Sequence, residues 1–140
     1  MNRLMLSVVA YTKQLENGSY KRVKEQYIIP GDTFTTAEDF VYNTLAQSMQ
    51  GEVILESLKR EVVDGVLYED EEVIESWYKC KATTPDPESE KEKNIALVYY
   101  VNATSVEKAN GVLKTELKSL YSDFSITHVD LTKVVDIYEM

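Results

Sequence analysis

Nucleophiles and bases that work near neutral pH are scarce in this sequence: it has one cysteine, Cys80, and one histidine, His128. His128 lies in Ile126-Thr127-His128-Val129-Asp130, where strand alternation puts an acid on the same side as the imidazole, an arrangement that can hold a general base. The same pattern suits a partly buried structural histidine, and that is the reading adopted. Cys80 alternates with Lys79 and Lys81, so the parity that places both lysines outside places the thiol in the core. Asp64 and Asp136 close two identical Val-Val-Asp strings and read as strand-end residues meeting turns. One cysteine cannot form an internal disulfide, and there is no His/Cys cluster at metal-ligand spacing, no Gly-rich phosphate loop among the five glycines and no G-x-S-x-G elbow. The expectation is a protein with no catalytic residue, no metal and no cofactor.

A different chemistry emerges when two hairpins are split by strand parity. One set, Leu6, Val8, Ala10, Val23, Tyr27 and Ile29, continued by Tyr78, Cys80, Ala82, Ile95, Leu97, Tyr99 and Val101, reads as the side facing helices. The opposite set mixes aromatic and basic residues, with Met5, Ser7, Val9, Tyr11, Arg22, Lys24, Gln26 and Ile28 in the first hairpin, and Trp77, Lys79, Lys81, Val98 and Tyr100 in the second. Bases could stack on Tyr11, Trp77 and Tyr100 while Arg22, Lys24, Lys79 and Lys81 meet phosphates, the combination used for single-stranded nucleic acid. The competing reading is burial of that face against another sheet. Because Met5, Val9, Ile28, Trp77 and Val98 form an apolar patch, a two-fold homodimer stacking the face on itself is expected.

The elements that would position these residues follow from an internal repeat. An ungapped shift of 72 residues aligns Ala10 with Ala82, Tyr27 with Tyr99, Ala37 with Ala109, Leu45 with Leu117, and Val62-Val63-Asp64 with Val134-Val135-Asp136. Each half reads as β-β-α-β. Alternating segments Leu4–Tyr11 and Ser76–Ala82 are followed by polar turns, one carrying Asn17-Gly18 and the other running from Thr84 through Ser89 to Glu90. Return strands cover Val23–Ile29 and Ile95–Val101. Thr33 and Ser105 are N-caps of helices whose apolar stripes are Ala37, Phe40, Val41, Leu45 with Ser48, and Ala109, Val112, Leu113, Leu117 with Leu120. Final strands span Val53–Val63 and Ser125–Val135, with phase breaks at Glu56 and His128 that indicate bulges. The fold class is α+β: repeats at 1–68 and 73–140, joined through 65–76, forming one pseudo-symmetric domain of antiparallel sheet with helices on one side.

Three of these stretches resemble a domain-of-unknown-function family of gut Bacteroidales and their phages, including crAss-like phages. They are Val23-Lys24-Glu25-Gln26-Tyr27-Ile28-Ile29, Thr33-Phe34-Thr35-Thr36-Ala37-Glu38 and Ser76-Trp77-Tyr78-Lys79-Cys80-Lys81. The resemblance covers nearly the whole chain and implies a bacterial or phage cytoplasmic protein. It carries no catalytic residues over.

Charge bounds the partners. With 24 acidic and 15 basic residues the net charge is −9, which opposes non-specific attraction to polyanions unless the basic residues share a face. Glu69, Asp70, Glu71, Glu72 and Glu75 form one acidic group, and Asp86, Glu88, Glu90 and Glu92 another, both read as solvated loop. No apolar run is long enough for a membrane helix, and the opening residues lack a signal-peptide pattern, so a cytoplasmic protein is expected. The functional expectation is non-enzymatic binding of single-stranded nucleic acid. The alternatives are a phage-encoded interaction protein that inhibits a host component, in takeover or anti-defence, and a virion or assembly component.

Overall fold

The computed structural model describes residues 3–88, 90–91 and 93–139. Ser89, assigned above to the second hairpin turn, and Glu92, assigned to the second acidic group, lie outside them. The chain forms two compact units, residues 1–62 with 133–140 and residues 63–132. Each contains one four-stranded sheet and one α-helix.

In the first unit β1 (Arg3–Gln14) and β2 (Tyr20–Pro30) form an antiparallel hairpin. Its turn behaves as the Asn-Gly signal requires: Gly18 takes φ 85°, which costs a side-chain-free residue little, and Asn17 Oδ1 accepts from the backbone N–H of Ser19 at 3.0 Å. Helix α1 (Phe34–Asn43) starts at Thr33, whose hydroxyl accepts from Thr36 N–H at 3.1 Å in a reciprocal capping box. The helix stops sooner than its apolar stripe suggested. Leu45–Ser48 is a separate 3-10 turn, with Leu45 still buried and Ser48 exposed. Strand β3 (Gln50–Val62) then pairs antiparallel with β1, and the C-terminal β8 (Val134–Ile137) pairs parallel with β2, giving the order β3-β1-β2-β8. The ladder between β1 and β3 slips at Glu56, where the alternation changed phase. Gly31 lies so close to α1 that a Cβ there would meet Ala37 Cβ at 2.7 Å, so a side chain would force the helix off the sheet.

In the second unit β4 (Gly65–Tyr68) is the first strand and occupies sequence expected to be linker. β5 (Ser76–Pro85) and β6 (Asn94–Ala103) form the hairpin, α2 (Val106–Leu120) follows Ser105, which accepts from Lys108 N–H at 3.1 Å, and β7 (Ser125–Leu131) pairs antiparallel with β5. The order is β4-β6-β5-β7. β7 breaks register beside His128, with Thr127 as the extra residue. The segment Ser125–Val135 is therefore two strands, β7 and β8, serving different sheets. Both sheets are mixed rather than antiparallel, since β4 joins β6 and β8 joins β2 in parallel.

The helix-facing core of the second unit matches its parity reading: Tyr78, Cys80, Ala82, Leu97, Tyr99 and Val101 pack on Ala109, Leu113 and Leu117. Ile95, assigned to that face, is exposed near the hairpin tip, and Leu120 at the helix end is 55% exposed. In the first unit the β1 assignment is reversed. Met5 and Val9 pack with Tyr27, Ile29, Ala37, Val41 and Leu45, and Leu6, Val8 and Ala10 point away. The cause is hairpin register. Met5 faces Ile29 and Ser7 faces Tyr27, whereas Tyr78 faces Val101 and Cys80 faces Tyr99, so the ungapped shift of 72 is off by one residue along β1. A one-residue change of register exchanges the two faces of a strand.

Candidate functional site

The seven residues read as an aromatic and basic surface are not assembled into one. Tyr11 lies on the α1 side of its sheet, opposite to Arg22 and Lys24, because it shares the odd parity of Met5 and Val9. Its hydroxyl donates to Glu25 Oε1 at 2.5 Å, and Tyr27 donates to the same oxygen at 2.8 Å, while Lys13 Nζ stands 3.4 Å from Oε2. Burial alone would raise the Glu25 pKa. The two phenol donors and the lysine charge outweigh it and hold the carboxyl below its usual range. Burial and the adjacent carboxylate push Tyr11 up to about 12 and raise Tyr27 as well, so both phenols stay protonated donors. The cluster is a locked ionised carboxylate, and Tyr11 has its edge committed to it.

Arg22 reaches the bulged strand, donating to the carbonyl of Glu52 at 2.6 Å and to Thr12 Oγ1 at 3.2 Å. Lys24 pairs with Glu56 at 3.0 Å. These cations neutralise and brace β3.

In the second unit Trp77 and Tyr100 do share the face away from α2, but they are 1% and 2% exposed. Trp77 stacks edge-on to Tyr68 with ring centroids 5.4 Å apart, and its carbonyl accepts from Thr132 N–H and Oγ1 at 3.0 and 2.8 Å. Its indole N–H is buried with no acceptor among the described residues. Lys81 is exposed and lies opposite His128, whereas Lys79 is partly buried and lies opposite Asp130. Lys81 is thus an open cation of this face, and His128 opposite it is exposed rather than partly buried. Met5, Val9, Ile28 and Trp77, four of the residues expected to need a second copy to cover them, are at most 1% exposed in the single chain.

The acidic group at 69–75 is anchored. Asn102, 1% exposed, accepts from Glu75 N–H at 2.7 Å and donates to the Glu75 carbonyl at 3.2 Å, and Glu69 Oε1 accepts from Thr104 N–H and Oγ1 at 2.9 and 3.0 Å. Asp64 is likewise structural: its carboxylate accepts from Val98 N–H and its own N–H donates to Val98 O, both at 2.7 Å. Asp136 lies in β8 and accepts from Ile137 N–H at 2.8 Å. The two aspartates belong to different units. Among the described residues no three His, Cys, Asp or Glu side chains stand where a metal ion could be held. No helix is long and apolar enough to cross a membrane.

A surface that parity did not disclose runs along β3. Among the described residues this 13-residue strand pairs with β1 alone, so it is an edge of its sheet. Edge strands are usually kept short. Beside it, Phe34, Glu38 and Tyr42 form an i, i+4, i+8 row on α1. Tyr42 accepts the Leu55 N–H at 3.0 Å, and the Arg60 guanidinium lies 5.7 Å from the Phe34 ring centroid while donating to the Asp32 carbonyl at 2.8 Å. Phe34, Tyr42, Ile54 and Val62 are 55%, 43%, 40% and 61% exposed. The sequence signal that could have found it was the exposed aromatic at both ends of the α1 row, which the core stripe overshadowed.

The model of the domain of unknown function DUF4494 matches residues 5–140, and the chain is a member of that family. No curated protein and no solved structure matches it.

Proposed function

We propose that the protein is a non-enzymatic binding protein whose partner is another protein, taken as an extended segment along the outer edge of β3. The observation that carries this reading is the length of that edge together with the exposed Phe34 and Tyr42 beside it. An added strand would be held by main-chain hydrogen bonds, with the aromatic rings and Arg60 selecting side chains. The bulge at Glu56 interrupts the ladder, so Ser57–Val62 is the regular stretch that an added strand would use. A role in sequestering or inhibiting a host component, in a bacterial or phage-infected cytoplasm, is the biological form we attach to it, supported by the acidic surplus, which suits a basic groove on a partner.

Single-stranded nucleic acid is the second reading, and it retains the support of Lys81 beside His128. It has weaker footing because Trp77 and Tyr100 are buried and Tyr11 is hydrogen-bonded on the other side of its sheet. The case for a homodimer rested on an open apolar patch, and four of its five residues are already buried in one chain. We also read the two units as descendants of one duplicated β-β-α-β element, supported by their shared strand and helix order and by a one-residue change in the first hairpin.

The test begins with peptides selected from a random display library on the purified protein and mapped by amide chemical shifts. The reading expects shifts concentrated on Ser57–Val62 and weaker binding in Phe34→Ala with Arg60→Ala. Peptides that map elsewhere overturn it. A parallel anisotropy titration with a single-stranded oligonucleotide at low salt, repeated on Lys81→Glu, decides the second reading.

A further inference from the structure

A cavity of about 550 Å³ lies in the first unit where the ends of β1 and β2 meet α1, within the volume range of small-molecule sites. It is separate in composition from the β3 edge. Leu4 and Pro30 are buried in its wall and Phe40 is partly buried, which gives an apolar floor. Thr36, Asp39, Phe40 and Asn43 of α1 and its C-cap Thr44 fall at i, i+3, i+4, i+7 and i+8, so one helix face supplies half of the lining. Arg3, Gly31 and Asp32 complete it.

The charges are unbalanced. Arg3 is the one cation of the lining against two carboxylates, and its Nε stands 4.0 Å from Asp32 Oδ1 with both side chains mostly exposed, a contact that water largely screens. Arg60 does not compensate Asp32, because it bonds the carbonyl and not the carboxylate. Asp39 has no hydrogen-bond or ion-pair partner among the described residues. It is exposed and shares the lining with Thr36, whose hydroxyl is held in the capping box, and with Asn43.

We propose that this cavity binds a small organic ammonium ion, with its apolar body on Leu4, Pro30 and Phe40 and its charged head on Asp39. An ammonium group donates up to three hydrogen bonds and carries the charge that a carboxylate without an ion-pair partner can take. An anion would meet two carboxylates, and a neutral ligand would leave Asp39 without a counter-charge. The inference stands apart from the proposal for β3, since no lining residue belongs to that strand.

The experiment titrates isotopically labelled protein with 2-phenylethylamine, 2-phenylethanol and 3-phenylpropionate, following amide shifts. The amine is expected to move Gly31, Asp32, Asp39 and Asn43 and to bind about tenfold more tightly than the alcohol, the scale of one charge-assisted bond. The carboxylate is expected to bind most weakly. Asp39→Asn should bring the amine to the level of the alcohol, while Glu107→Gln on α2 leaves it unchanged; the unperturbed spectrum of each variant confirms its fold. Equal binding of amine and alcohol, an amine response unaltered in Asp39→Asn, shifts confined to other regions, or no shifts at millimolar amine would each overturn the proposal.

Discussion

The Tyr42 hydroxyl accepts the backbone N–H of Leu55 at 3.0 Å, so a side chain of α1 occupies a ladder position on the outer side of an edge strand. Such a contact serves two ends. It ties the helix to β3, and it closes one donor that would otherwise be open to another chain. Tyr42→Phe should cost about 0.5 to 1.5 kcal/mol, the net value of one hydrogen bond, and should accelerate hydrogen exchange at Leu55 while leaving β6 amides unchanged. Unaltered exchange at Leu55 would mean that the bond does not persist in solution.

The Glu25 cluster makes a prediction about acid. Its folded pKa is depressed, so the stability it contributes is present above the unfolded carboxyl value and disappears as pH falls through the folded one. Glu25→Gln should therefore lower stability near neutral pH by about 1 to 3 kcal/mol, because two phenols lose a charged acceptor, and should flatten the acid limb of the stability curve. Tyr11, raised to about 12, acts in the opposite direction: its contribution is complete below the unfolded phenol value near 10 and is lost as pH rises through about 12. Chemical denaturation across pH, with tyrosine absorbance on the alkaline side, checks both limbs.

How much of this was readable beforehand depended on how one-sided each element is. α2 has Ala109, Leu113 and Leu117 on one row with Val112 beside it and mostly polar residues elsewhere, so its buried face followed from spacing. β1 is apolar at Leu4, Met5, Leu6, Val8, Val9 and Ala10, on both faces, and alternation has nothing to act on in such a strand. Its register came from the hairpin turn, which an ungapped alignment could not detect. Tyr11 was misplaced for that reason, and with it the idea of three coplanar rings. Trp77 and Tyr100 were assigned to the correct face, but strand parity gives direction and says nothing about exposure.

Leu117 tests the α2 face directly. It is fully buried among Tyr78, Tyr99 and Leu113, and Leu117→Ala should destabilise by about 2 to 5 kcal/mol through lost contacts and a cavity. Leu120→Ala, three residues on and 55% exposed, should change stability by less than about 0.5 kcal/mol. Urea denaturation of the two variants gives the comparison, and similar values for both would reject the assigned face.

Cys80 should be silent in the folded protein. Burial first, and the nearby Asp130 charge second, push its thiol up to about 11, so little thiolate exists at neutral pH and a reagent cannot reach it. Labelling by an aromatic disulfide is expected to be slow in buffer and to accelerate in step with unfolding in denaturant. Rapid labelling of the native protein would contradict the core position.

The return of β8 to the first sheet has a consequence for the order in which a growing chain can mature. Residues 63–132 contain every strand of the second sheet in one uninterrupted stretch, whereas the first sheet needs Val134 and Ile137, both nearly buried, and Tyr138, whose ring lies 5.6 Å from Phe40. On a ribosome the portion made first therefore waits, with one flank of β2 bare, until the portion made second has emerged. The first sheet is thus completed only by residues made after every strand of the second.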